Sequence, residues 1–280
     1  PPIAPKTDAV PRAPQDLDTG LEGAPGPQDI DAALQAQVGG GEMPAPGISF
    51  DGPPNLSSVA PPDPVGDVGP NHYVAMSNLS FQIYNKAGTS LYGPALNNTL
   101  WAGFGGACQV ENSGDPIVVH DQFADRWILT QFTSAGPTWY LCIAISTTPD
   151  PTGTYYRYAV STGANFPDYP KYGVGRSAYF VATREFLNGV YALNRAQMIA
   201  GNPAPQVISF LVPPGATPYN TGDGLQPADI DGSVLPPAGA PHYFVGSMDN
   251  GGPYGAPQDA LTLWKFNADF GTPANSTFLL

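Results

Sequence analysis

Residues 114–132 read GDPIVVHDQFADRWILTQF, and the pattern in this stretch decides the fold. An acidic turn at Asp115 leads into a run of strand-forming residues, and a tight turn then leads into a second run that begins at Trp127. Short runs of Val, Ile, Leu and aromatic residues, bounded by Gly, Pro and Asp, are typical of β-strands joined by turns. The stretch therefore predicts two adjacent antiparallel strands.

The same pattern of an acidic turn and a run led by an aromatic residue occurs four times. The acidic turns contain Asp67, Asp115, Asp168 and Asp229, and the runs begin at Tyr73, Trp127, Tyr179 and Tyr243. Successive aspartates are 48, 53 and 61 residues apart. Repeats of roughly 40 to 50 residues are typical of β-propellers, in which each blade is a sheet of about four strands. We therefore expect an all-β protein, a β-propeller of about four visible blades, with a β-sandwich of similar strands as the competing fold.

Each repeat contains three or four predicted strands. They are Tyr73–Asn78, Ser80–Asn85 and Ser90–Tyr92 in the first repeat; Pro116–His120, Arg126–Thr133, Trp139–Ser146 and Thr154–Val160 in the second; Lys171–Val174, Ala178–Glu185, Gly189–Leu193 and Gln206–Val212 in the third; and Asp231–Leu235, His242–Met248, Ala260–Phe266 and Ser276–Leu280 in the fourth. A short helix is predicted at Arg195–Ala200. Phe50 and its neighbours are expected to pair with the last blade, because an unpaired edge strand invites aggregation.

Residues 1–47 differ in composition from the rest of the chain. They are rich in Pro and small polar residues and contain no aromatic residue. Such a segment buries too little apolar area to offset its ordering entropy. We therefore expect a Pro-rich extended arm or linker, with one short helix at Asp29–Val38, followed by the propeller domain at residues 48–280.

Composition and charge narrow the range of partners. The formal net charge is −13, which disfavours nucleic acids and anionic membrane surfaces and favours cations or basic partners. No apolar run approaches the roughly 20 residues that a membrane-spanning helix needs. Few lysines, many Gly and Pro residues and just two cysteines are typical of an exported protein, so a secreted, extracellular or cell-surface location is expected.

The two cysteines are Cys108 and Cys142. In an exported chain the preferred interpretation is a disulfide between them. The alternative is a pair of buried free thiols, with Cys142 as a small core residue.

The four aspartates of the repeats are the main candidates for function. Because the innermost strands of a propeller run along its central channel, we expect Asp67, Asp115, Asp168 and Asp229 to gather at one mouth as a ligand site. Three roles remain open: capping of turns, binding of Ca²⁺, and acid–base catalysis. The predicted Ca²⁺ ligands are Asp115, Asp168, Asp229 and Asp231, and the candidates for catalysis are Asp67, Asp115 and Asp168.

The sequence around Asp115 resembles the Asp-Pro blade openings of sialidase-like and arabinanase-like propellers. Together with residues 66–74 (GDVGPNHYV) and 166–174 (FPDYPKYGV), it is similar to uncharacterised secreted bacterial propeller proteins, over about residues 60 to 270. Arabinanase-like enzymes use one aspartate as the base, a second aspartate to tune pKa, and a glutamate as the acid, so the resemblance implies base and tuning roles for Asp67 and Asp115. No glutamate matches the acid, because Glu185 falls in a predicted strand, and the aspartate boxes typical of sialidases are absent.

Two functions fit these residues. The first is an extracellular, non-catalytic binding or assembly module, stabilised by calcium, whose partner is a glycan or a neighbouring copy of the chain held through the amino-terminal arm. The alternative is a glycoside hydrolase or lyase that acts at the channel mouth through paired aspartates. The missing glutamate favours the first function.

Overall fold

The computed structural model describes residues 47–184, 187–212, 224–251 and 255–280, and within them sixteen β-strands form four sheets of four strands. The chain divides into two units, Pro1–Ser49 and Phe50–Leu280, and all four sheets belong to the second unit. The predicted helix at Asp29–Val38 lies outside the described residues. The fold is all-β, as the sequence predicted.

The four sheets follow one another along the chain. Sheet I contains β1 (Val65–Val68), β2 (His72–Ser77), β3 (Ser80–Asn85) and β4 (Ser90–Leu96). Sheet II contains β5 (Val118–Asp121), β6 (Arg126–Phe132), β7 (Trp139–Ser146) and β8 (Tyr155–Gly163). Sheet III contains β9 (Asp168–Val174), β10 (Ala178–Arg184), β11 (Asn188–Asn194) and β12 (Val207–Val212). Sheet IV contains β13 (Gln226–Pro227), β14 (His242–Met248), β15 (Ala260–Asn267) and β16 (Thr277–Leu279).

Every sheet is an antiparallel meander in which spatial order equals chain order. The first strands lie side by side, β1 beside β5, β5 beside β9, and β9 beside β13. Short helices interrupt the strands at Asn97–Trp101, Gly106–Val110 (α1), Arg195–Ile199 (α2) and Pro273–Asn275. The adjacent first strands bring residues from distant parts of the sequence together.

Apolar side chains fill the space between successive sheets. One cluster joins sheets I and II, for example Met76 with Trp127, and a second joins sheets II and III, for example Ile143 with Val181. The third joins sheets III and IV and includes Phe244. Strand β6 is buried on both faces, because it is a central strand of a sheet that is packed on two sides.

A buried ion pair also joins sheets II and III. The Asp121 carboxylate is fully buried and accepts two hydrogen bonds from the Arg195 guanidinium at 2.6 and 2.9 Å. The Tyr179 hydroxyl donates a third at 2.8 Å. Although burial by itself raises the pKa of Asp121, the hydrogen bonds and charge of Arg195 outweigh it and hold that pKa below its ordinary value. The three side chains thus connect β5 of sheet II with β10 and α2 of sheet III.

The predicted disulfide is confirmed. Cys108 of α1 is bonded to Cys142 of β7, which lies 34 residues later in the chain. Both residues are buried beside Trp101, so the bond attaches the helical segment between β4 and β5 to sheet II.

Two sequence-based predictions for the fold are wrong. Asp231–Leu235 is not a strand; the first strand of sheet IV is Gln226–Pro227, because those residues pair with Val245 and Phe244 of β14. Phe50 does not pair with the last sheet. Its ring instead packs against Tyr84 at 5.0 Å and against a second tyrosine of sheet I at 6.0 Å, so it covers that sheet.

Candidate functional site

The structure divides the four predicted aspartates between two ends of the first strands. Asp115 accepts a hydrogen bond from the Tyr169 N–H of β9, whereas Asp229 accepts one from the Val174 N–H at the other end of that strand. Five residues of extended strand separate these two contacts, or about 17 Å. The single cluster expected from the sequence is therefore two clusters.

We call the first one the start cluster, since it lies where β5 and β9 begin. It contains carboxylates from three separate segments and two cations of sheet III. Its members are Asp63, Asp115, Asp168, Tyr169, Lys171 and Arg184. The sequence predicted Asp115 and Asp168 in one site, and the structure places them together.

The Asp115 carboxyl has the strongest electrostatic perturbation in this cluster. Burial raises its pKa, and the charges of Asp168 and Asp63 raise it further, to about 6. The Tyr169 N–H, which donates to Asp115 Oδ2 at 3.2 Å, and the Lys171 ammonium offset only part of that rise. A carboxyl group with such a pKa exists in both protonation states near neutral pH, so it can accept or donate a hydrogen bond to a ligand.

The two cations of the cluster surround an exposed aromatic ring. The Lys171 Nζ lies 3.4 Å from the centroid of the Tyr169 ring, and the Arg184 guanidinium carbon lies 4.5 Å from it. Tyr169 is 45% exposed. Burial lowers the pKa of Lys171, and the charge of Arg184 lowers it too, although the nearby carboxylates oppose that effect. The cluster thus combines hydrogen-bond donors and acceptors around a ring that solvent reaches.

The backbone of the start cluster is unusual at three positions. Asp63, Asp115 and Tyr169 have φ angles of 39°, 43° and 51°, in the left-handed region that side chains other than glycine seldom adopt. Asn78 supports two of them, because its amide group donates to Asp63 Oδ2 at 2.9 Å and accepts from the Asp115 N–H at 2.9 Å. Residues held in this region are often found at functional sites.

The second group, the end cluster, contains Asp67, Asp229 and Asp231. The His120 N–H of sheet II donates to Asp67 Oδ2 at 2.7 Å, and the Val174 N–H of sheet III donates to Asp229 Oδ1 at 2.6 Å. Burial and the charges of Asp231 and Asp67 raise the pKa of Asp229. These carboxylates accept backbone N–H bonds from neighbouring sheets. They therefore act as caps, as aspartates in turns do, but between segments that are far apart in the sequence.

A separate groove lies between the outer strands of sheets I and II. It has a volume of about 330 Å³ and is lined by Phe81, Tyr92, Tyr155 and Arg157, among others. The Tyr92 ring stacks on Phe81 at 5.6 Å and Tyr92 is 45% exposed. The groove therefore has an aromatic wall that a ligand could reach.

Sequence reasoning missed Asp63, Lys171, Arg184 and Tyr169. The sequence held a signal for Lys171 and Arg184, because the chain has only ten Lys and Arg residues. Lys171 also follows Asp168 by three positions. Glu185, considered as a catalytic acid, lies outside the described residues. Glu111 is described, and its carboxylate accepts the backbone N–H bonds of Ser134 and Ala135, as a structural cap does.

Within the described ranges, no group of three or more His, Cys, Asp or Glu side chains is arranged to hold a metal ion. The same ranges contain no helix with the length and apolar character needed to cross a membrane.

The comparison with known proteins includes a likeness to a solved structure. The sequence matches no protein-family model and no curated protein. The fold is similar to the crystal structure of a "putative glycoside hydrolase" from Parabacteroides distasonis, with a TM-score of 0.39, 11% sequence identity, and coverage of 78% of this chain and 72% of that chain. A likeness at this level carries no argument about activity.

Proposed function

We propose that the four sheets are blades of a β-propeller and that the protein is an extracellular, non-catalytic binding module. The propeller is supported by four consecutive meanders whose first strands lie side by side. Export is supported by the Cys108–Cys142 disulfide, since such bonds persist mainly in oxidising compartments.

The start cluster is the proposed ligand site, and the observation that carries this proposal is the state of Asp115. Its carboxyl is largely buried beside two other carboxylates, so its ionisation opposes folding near neutral pH. A structural role would be served better by an uncharged side chain. Groups that cost stability are retained at sites where they contact a ligand.

The chemistry of the cluster favours a neutral glycan. Carboxylates accept hydrogen bonds from sugar hydroxyl groups, and Lys171 and Arg184 donate hydrogen bonds to them. The mixture of three acids and two cations leaves little net charge, which disfavours a strongly ionic ligand. The exposed Tyr169 ring adds an apolar surface at the rim.

A glycan array followed by calorimetric titration of the best glycan tests this proposal. We expect Asp115→Asn and Lys171→Gln to weaken binding at least tenfold, because each removes a charged hydrogen-bonding partner. Lys86→Gln is the matched control, since Lys86 is exposed in the turn between β3 and β4. Full affinity in both cluster variants, with the fold intact, would reject the site.

A second pair of variants locates the ligand. Tyr169 and Tyr92 are equally exposed, at 45%, but Tyr92 lies in the groove between sheets I and II. We expect Tyr169→Ala to weaken glycan binding and Tyr92→Ala to leave it unchanged. The reverse result would move the binding site to that groove.

Glycoside hydrolysis or lysis is the second candidate, and one observation favours it. A carboxyl with a pKa of about 6 beside Asp168 has the acidity expected of a general acid or base near neutral pH. Asp67 lies about 17 Å from Asp115 along the first strands, whereas paired catalytic carboxylates are about 5 to 9.5 Å apart. The enzyme hypothesis therefore depends on Asp115 and Asp168. Turnover of a bound glycan that Asp115→Asn abolishes, with the fold intact, would overturn the non-catalytic function.

Calcium stabilisation and assembly through the arm are separate proposals. Of the predicted Ca²⁺ ligands, Asp115 and Asp168 lie in the start cluster and Asp229 and Asp231 in the end cluster, so one ion could use only one pair. If Ca²⁺ binds the native state, EDTA should lower the melting temperature and added Ca²⁺ should restore it; an unchanged value rejects the ion. If the arm mediates assembly, deletion of residues 1–47 should leave a folded monomer.

A further inference from the structure

Sheet IV has an apolar face that is open to solvent. On its two central strands, Tyr243 and Val245 of β14 are 38% and 37% exposed, and Leu261 and Leu263 of β15 are 78% and 50% exposed. Leu279 of β16 is 58% exposed. Side chains of this kind in the middle of a sheet normally pack against another layer.

The strand register places these side chains in one continuous patch. Val245 is opposite Leu263, and Leu261 is opposite Ser247. Lys265 is opposite both Tyr243 and Leu279. We call this set the sheet IV outer face; its members are Tyr243, Val245, Ser247, Leu261, Leu263, Lys265 and Leu279. The residues that alternate with them, including Phe244, are buried against sheet III, so sheet IV is apolar on both faces.

The equivalent surface at the other end of the row of sheets is covered. Phe50 packs on the tyrosine rings of sheet I, and the Pro54 carbonyl accepts a hydrogen bond from the Ser80 hydroxyl of β3. The covered sheet I therefore cannot receive the sheet IV outer face of another copy. This leaves a symmetric arrangement, in which both copies use the sheet IV outer face.

The charge distribution fits a second copy as the partner. The chain has a net charge of −13, so two copies repel each other over most of their surfaces. The seven side chains of the sheet IV outer face include no carboxylate and one cation, Lys265, and the exposed Asp249 and Asp259 flank the face at one end. Contact through this face brings apolar side chains together, with the acids of each copy confined to its margin.

We propose that two copies associate by packing their sheet IV outer faces against each other about a two-fold axis. Strands β14, β15 and β16 have seven, eight and three residues, and at about 3.4 Å per residue and about 4.8 Å between strands they give roughly 300 Å² of sheet surface per copy. Interfaces of this size fall at the weak, transient end of the known range. We therefore expect a weak, reversible dimer. This inference is independent of the proposed glycan site.

Sedimentation velocity of the full chain between about 1 and 200 μM tests the proposal, in the concentration range that such an interface implies. We expect the dimer fraction to rise with concentration and Leu263→Lys to abolish it, because the two introduced lysines would face each other across the axis. Leu211→Lys is the matched control: Leu211 is also 50% exposed, but it lies on the edge strand β12 of sheet III. Circular dichroism of each variant confirms its fold, and Leu261→Thr serves as a milder second variant.

Each outcome decides between specific alternatives. A monomer throughout the concentration range overturns the proposal. A dimer that survives both Leu263→Lys and Leu261→Thr but is lost on deletion of residues 1–47 assigns association to the arm instead. Raising NaCl from 50 to 500 mM should increase the dimer fraction, since it screens the repulsion between acidic copies. A decrease would indicate ion pairs and would contradict an apolar interface.

Discussion

Replacing Asp115 with Asn should make the protein more stable at neutral pH. The amide has nearly the same shape as the carboxyl, and its oxygen can still accept the Tyr169 N–H bond. Asn also tolerates the left-handed backbone at φ 43°. The substitution thus removes the charge and little else.

The size of the effect follows from the pKa of Asp115. Burial and the charges of Asp168 and Asp63 raise that pKa from 3.8 to about 6 in the folded protein. The folded state therefore holds the proton more tightly than the unfolded state, and stability is lost as the pH rises from about 4 through 6. At about 1.4 kcal/mol for each pKa unit, the loss in the wild type reaches about 3 kcal/mol. Asn cannot ionise, so its advantage over Asp should grow from low pH to neutral pH by up to about that amount.

Urea unfolding of the two proteins at pH 4, 5, 6 and 7, followed by tryptophan fluorescence, measures this difference. The ionisation of groups distant from Asp115 cancels when the variant is compared with the wild type at each pH. We expect the difference in unfolding free energy to increase steadily over this range. A difference that is constant with pH, or one that favours Asp115 as the pH rises, would refute the electrostatic description of the start cluster.

Three other predictions concern stability. Serine at both Cys108 and Cys142 should lower the free energy of unfolding by about 4 kcal/mol, given a closed loop of 34 residues, and dithiothreitol should then have no further effect on the urea midpoint. Asp121→Ala should lower the free energy of unfolding by about 3–5 kcal/mol, because Arg195 would remain partly buried without its partner. A smaller loss than in an exposed-site control would contradict a stabilising role for the ion pair between sheets II and III. Burial lowers the pKa of His242 to about 4, so its contribution to stability is complete above about pH 6.5 and declines as the pH falls toward 4. In urea titrations, the His242→Phe variant should lose less free energy of unfolding than the wild type over that pH range. Parallel pH profiles of the two proteins would contradict this prediction.

Local sequence determined most of the strands. Ser80–Asn85, Trp139–Ser146 and His242–Met248 begin and end where the sequence predicts, because β-branched and aromatic residues there are bounded by turn residues. The strand predicted at Asp231–Leu235 is wrong, because pairing with β14 decides which residues form the first strand of sheet IV. Gln226–Pro227 pairs with β14, and that choice depends on a long-range contact that propensity does not contain.

The disulfide was also predictable, since two cysteines allow one pairing within the molecule. The positions of the acids relative to one another were not. Asp67, Asp115 and Asp229 look alike in sequence, and each accepts a backbone N–H from a distant strand. Asp67 and Asp229 do so at one end of the first strands, whereas Asp115 does so among charged side chains at the opposite end.

The sequence by itself therefore determined an all-β chain of four repeats, most of its strands and its disulfide, because these depend on periodicity, turn residues and residue type within short segments. Only the tertiary structure decided which carboxylates are neighbours, where Lys171 and Arg184 join them, and which apolar face of sheet IV remains uncovered. Those features arise from the stagger of adjacent first strands and from packing between sheets, which join residues that are dozens of positions apart.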